Sequence, residues 1–137
     1  MLELVQPTAG LCDSYRALIA EFVAGGEALV PFPLGFDNTD FDAFLSRLGD
    51  CAKGIGVPEG FVAHSTYWLV RDGTEVVGVV NIRHALTPAL RREGGNIGYG
   101  IRPSARRQAE FLNLSPPRVK ALNRALYEAG VVVIRDN

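Results

Sequence analysis

The chain has 137 residues, a net charge of −1 and 47% hydrophobic residues, a balance that fits one folded domain spanning 1–137. No apolar run reaches the roughly 18–20 residues needed to cross a bilayer. The start, Met1-Leu2-Glu3-Leu4-Val5-Gln6-Pro7, lacks the basic segment and apolar core of a secretory signal. A pI near 6.1 and the lack of a lysine-rich or aromatic-basic stripe argue against nucleic acid, and two distant cysteines, Cys12 and Cys51, suit idle thiols in a reducing cytoplasm better than a disulfide scaffold or metal site.

Leu2 to Val5 reads as a short strand stopped by Pro7, with Thr8 placed to cap the helix that follows. Leu11, Tyr15, Leu18, Ile19 and Phe22 recur at helical spacing and define one buried face, and Gly25-Gly26 ends it. Residues 27–38 are irregular, with Pro31, Pro33 and Gly35 among Val30, Phe32, Leu34 and Phe36, and read as a loop whose aromatics cap the core rather than touch a substrate. Thr39-Asp40-Phe41-Asp42 resembles a capping box opening a second helix lined by Phe41, Phe44, Leu45 and Leu48. Its acids complement the helix dipole, which accounts for them without catalysis.

Gly54 to Ser65, including His64, reads as a loop, and Thr66 to Val70 as a strand. Asp72-Gly73 signals a hairpin, and Glu75 to Ile82 is a strand apolar enough to be covered on both faces. Arg83-His84-Ala85-Leu86 leaves that strand, and a basic linker, Thr87 to Glu93, leads to a third strand, completing an antiparallel meander. Past Arg107, Ser115-Pro116-Pro117 starts a further helix lined by Val119, Leu122 and Leu126, and Val131 to Ile134 is a last short strand.

The third strand carries the clearest functional signal. Ile97, Tyr99 and Ile101 alternate with Gly98 and Gly100, so one face is bulky and the other bare. Such glycines mark a bulge or a close approach by another backbone or a ligand. Pro103 ends the strand, and Arg106 and Arg107 follow at a turn toward helical sequence, where free N–H groups and the helix dipole favour an anion. Charge is skewed to match: residues 1–60 hold nine acids and three bases, residues 61–137 eleven bases and six acids. A basic half suits a polyanion and an acidic half a cationic amine, although a solvated surface with accidental asymmetry gives the same count.

Arg83-His84-Ala85-Leu86 and Gly94-Gly95-Asn96-Ile97-Gly98-Tyr99-Gly100-Ile101-Arg102-Pro103-Ser104-Ala105-Arg106-Arg107 together resemble a pattern from a bacterial branch of the GNAT superfamily of N-acetyltransferases. The resemblance covers roughly residues 60–110. It implies an α/β (α+β) fold with a mostly antiparallel sheet and helices on both faces, cut short at the C-terminus. It also implies acetyl-CoA as co-substrate and an amine, small or peptidic, as acceptor. Tyr99, Gly100 and Ile101 would supply the backbone that polarises the thioester, and Arg106, Arg107 and Gln108 the anchor for the pyrophosphate. The family's turn continues with glycines, whereas this chain reads Gln108-Ala109-Glu110-Phe111, placing an acid where phosphate would lie.

No catalytic base is identified. Asn96 stands where many members of the family carry a Glu, and it cannot take a proton. Tyr67, His84 and Asn96 are the candidates for the substrate pocket; His84 titrates in a useful range, yet a lone strand-end histidine is commonly structural. Solvent can accept the proton from an amine of low pKa. No metal-ligand spacing is present. The competing expectation is an inactive remnant that binds a ligand or dimerises through Val131 to Ile134 as an exposed sheet edge.

Overall fold

A computed structural model of the protein describes residues 2–85 and 97–106. Strand β1 is Leu2–Val5, helix α1 is Cys12–Ala24, helix α2 is Phe41–Ala52, and strands β2, β3 and β4 are His64–Arg71, Glu75–Arg83 and Ile97–Ile101. Short 3-10 turns cover Ala9–Leu11, Phe32–Gly35 and Pro103–Ala105. The strands form one antiparallel sheet in the order β1-β2-β3-β4, so the expected meander is present and β1 adds to its outer side. The Ser115-Pro116 helix and the Val131 to Ile134 strand lie outside the described residues, as does the Thr87 to Glu93 linker.

Both described helices cover the same face of the sheet. Registered partners share a face, and Val5, Trp68, Val79 and Gly100 form one cross-strand row toward the helices. Tyr15 of α1 stacks on Trp68 at 4.7 Å and on Phe44 of α2 at 5.2 Å, which locks helices and sheet into one core. Leu18, Phe22, Leu48, Cys51 and Val76 complete it. Burial pushes the Tyr15 hydroxyl's pKa up. A second cluster, with Leu4, Tyr67, Val80, Ile82 and Ile97, occupies the opposite face.

The sequence signals hold where they are local. Asp72 and Gly73 both take positive φ, and Thr74 N–H donates to the Arg71 carbonyl, closing the hairpin. Gly26 and Gly54 each take positive φ just past a helix, where the glycine's own amide and the one after it fold back onto the last turn. Two caps differ from expectation. Thr8 makes no side-chain cap bond and precedes the 3-10 turn; α1 begins only at Cys12. At α2 the cap is Asp40, whose carboxylate accepts from Ala43 N–H at 3.1 Å, because Thr39 is held by the Asp37 carboxylate through both N–H and hydroxyl.

Between β2 and β3 the register slips by one. Leu69 faces Gly78 and Val70 faces Val76, so Val77 is an extra residue. Two backbone groups at the bulge bind partners outside the β2–β3 pair. Val76 N–H donates to Ser14 Oγ of α1 at 2.8 Å, and the Val77 carbonyl accepts from Arg102 N–H at 2.8 Å. Helix α1 and the exit of β4 are therefore fixed to the same point of β3.

Candidate functional site

The bare face of β4 points at the helices, and the chain itself fills it. A side chain at Gly100 would run into the carbonyl oxygen of Val30 and meet Phe22 Cζ at 3.4 Å. One at Gly98 would meet Pro31 Cβ at 3.2 Å and Arg83 Nη2 at 3.6 Å. The Val30–Pro31 bond is cis, and Pro31 is buried. Of the two partners that glycines admit, a backbone or a ligand, the helix side of β4 thus takes a backbone. The expected groove wall is a packed contact. In the same loop, Leu34 and Phe36 are buried in the core, while Phe32 stays 44% exposed and touches Phe61.

On the other face, Ile97 is part of the second cluster and Ile101 lies against Gly78. Tyr99 is 46% exposed. Tyr67 and Tyr99 are both registered with Val80, so they share this face two strands apart, roughly 10 Å by ordinary strand spacing. Tyr67 also lines a cleft of about 210 Å³ between α2, the end of β1 and β2, together with Gln6, Pro7, Leu45, Gly49 and Ser65.

The turn after β4 is tied to α1 by two carboxylates. Glu21 accepts from Arg102 Nε at 2.5 Å, from Ser104 N–H at 2.8 Å and from Ser104 Oγ at 3.0 Å. Partial burial opposes its charge, but these donors outweigh that and hold the carboxyl below its ordinary value. Glu27, just past α1, binds Arg106 in two-pronged fashion, Nη1 to Oε2 at 3.0 Å and Nη2 to Oε1 at 2.6 Å. That pairing raises the Arg106 pKa, and the guanidinium also sits 5.7 Å from the centroid of the Phe22 ring. Arg107 and Gln108 lie outside the described residues.

A second polar group sits at the far end of β4. His64 is not in a loop: it opens β2, pairs with Arg83 in register, and is 3% exposed. The apolar faces of Thr66, Trp68 and Val70 continue its alternation, which extends the strand two residues earlier than composition suggests. Asn81 Nδ2 lies 2.8 Å from His64 Nδ1, 3.2 Å from Thr66 Oγ1 and 3.4 Å from the Ser65 carbonyl. With two of those partners being oxygen acceptors, the NH₂ group faces them, and His64 Nδ1 is then an acceptor with its proton on Nε2. Nε2 itself has no partner among the described residues. Burial, His84 and Arg83 all lower the His64 pKa. His84 Nε2 is 2.7 Å from Ser65 Oγ, and burial lowers its pKa too. Both rings are neutral at pH 7.

The candidates therefore fall into two groups. Arg106 is beyond the Ile101 end of β4, and His84 is beside the Ile97 end, with Asn96 outside the described residues. The five residues of β4 between them span roughly 14 Å at about 3.4 Å per residue. A compact ligand meets one group, whereas a long one lying along the strand meets both. Sequence reasoning missed Glu21 and Glu27. Their signal was present: Glu21 is in the last turn of α1 and Glu27 just past its end, where the dipole disfavours a carboxylate unless a cation holds it.

Among the described residues no group of His, Cys, Asp or Glu could hold a metal ion, and no helix is long and apolar enough to cross a membrane. No protein-family model, curated protein or solved structure matches the chain.

Proposed function

We propose that the chain is an acetyl-CoA-dependent N-acetyltransferase of the GNAT type, acting on a small-molecule or peptide amine. One observation carries the reading. Strand β4 runs into a proline turn whose Arg106 already grips the Glu27 carboxylate with both prongs of its guanidinium, the mode suited to phosphate. A first strand, two helices and a three-strand meander leading to that turn agree with the front of such a domain.

In the reaction, the neutral amine's nitrogen adds to the thioester carbonyl carbon, the C–S bond breaks, and the nitrogen's proton ends on the departing sulfur. Backbone N–H groups from Tyr99 to Ile101 would polarise the carbonyl, and Arg106 would hold the pyrophosphate. Val30 and Pro31 close the helix side of β4. The pantetheine arm would therefore follow the edge of β4 or its Tyr99 face. His84, neutral and hydrogen-bonded to Ser65, is the described group best suited to accept a proton near the Ile97 end.

A second reading, a non-catalytic binding module, draws support from the same contacts, since Arg106 is paired and the glycine face is filled. Calorimetric titration of the full chain with acetyl-CoA separates the two. Saturable heat with a matching rise in melting temperature is expected; neither heat nor shift at millimolar ligand would leave the module reading standing. Where binding is seen, Arg106→Ala should weaken it about tenfold, the scale of one lost charge-assisted contact.

A further inference from the structure

Resting on the reading above, we infer that Glu27 is a built-in competitor for the phosphate at Arg106, so that cofactor binding requires this carboxylate to let go. The two carboxylates on the turn are not equivalent. Glu21 is held by three donors from Arg102 and Ser104, one of them a backbone amide. Glu27 relies on the Arg106 side chain for its ion pair, and Arg106 keeps nearly half of its side-chain surface in solvent. The first bond set is part of the turn's fold, while the second joins two side chains at the surface.

Arg106 does not need to move when its partner changes. Phe22 supports the guanidinium, and both prongs already point at two oxygens of a single anion. A phosphate presents the same pair of acceptors with more charge. Glu27 is also the first residue of the segment that lies on β4. Val30 and Pro31, three and four residues later, cover Gly100 and Gly98. Releasing Glu27 removes an anchor at the start of that strap, next to the strand the ligand must follow. An exposed ion pair contributes little to stability, so the barrier it sets is small: a tax on affinity of about two- to fivefold.

The test uses the full chain with two probes, acetyl-CoA and inorganic pyrophosphate, at low and high salt. Glu27→Gln keeps the side chain's size and removes its charge. It should bind acetyl-CoA about two- to fivefold more tightly than the parent at low salt, with the advantage shrinking as salt screens the pair. In an Arg106→Ala background the same change should confer no advantage, which shows that Glu27 acts through Arg106. Acetyl-CoA bound equally well by parent and Glu27→Gln overturns the competitor role and leaves the acetyltransferase reading intact. Pyrophosphate bound more tightly by Glu27→Gln, with acetyl-CoA bound by neither form, upholds the competitor and sinks the acetyltransferase. Failure of both probes with both forms overturns both.

Discussion

At the Ile101 end of β4 the important groups are charged, and Arg106 and Ser104 are exposed: Arg102, Ser104 and Arg106 meet two carboxylates of α1 and its exit. At the Ile97 end they are neutral, with His64, Thr66 and Asn81 buried around one shared amide and His84 half-buried and bonded to Ser65. The exposed Arg106–Glu27 pair of the first end is cheap to break and sensitive to salt. The second is costly to break and indifferent to salt, because a buried polar group stripped of its partner keeps its desolvation penalty. An end that exchanges partners readily is suited to capturing a ligand, and an end that does not is suited to holding a shape.

The largest expected effect lies between the ends. Gly100→Val forces a side chain into the Val30 carbonyl and should cost about 3 kcal/mol, seen as a lower denaturation midpoint; a wild-type midpoint would mean that the strap is not seated on β4. Next comes Asn81→Leu, which strands His64 Nδ1 and the Thr66 hydroxyl. About 2 kcal/mol should be lost, unchanged between low and high salt; a salt-dependent loss would erase the contrast between the ends.

The smallest effect separates the ends by pH. His64 and His84 have pKa values lowered from 6.5, so the unfolded chain takes up protons first as pH falls. Stability from this end is whole above pH 6.5 and declines below it, levelling off beneath the lowered folded values. Glu21 is lowered from 4.5, so its contribution persists down to that pH and is lost only below it. Melting temperatures from pH 8 to 4 should therefore show a first decline beginning near 6.5. The variant His64→Asn should shrink it, leaving the part due to His84. A parent profile that is level down to pH 5 would refute the neutral assignment of both rings.

Much of the fold was legible because its causes are local. Tyr15, Leu18 and Phe22 repeat at helical spacing, Asp72-Gly73 imposes its own turn, and the apolar run at Val76 to Ile82 has one comfortable conformation. The α2 cap slipped by one residue because Thr39 and Asp40 are both competent, and only the neighbouring Asp37 decides between them. The site was less legible. Gly98 and Gly100 announced a close approach, but a glycine does not say what approaches. Val30 and Pro31 reach β4 from nearly seventy positions earlier in the chain. Glu21 and Glu27 were likewise far from the arginines they bind.

The surplus residue in β3 has a geometric effect beyond its own strand. There the Val76 amide donates to a hydroxyl on α1 and the Val77 carbonyl accepts from the chain leaving β4. It works as a railway junction does, with a small offset in one rail deciding where another line goes. The heading of the chain beyond Ile101, and so the place where the Arg106 guanidinium is presented, is steered from the neighbouring strand rather than by the turn alone.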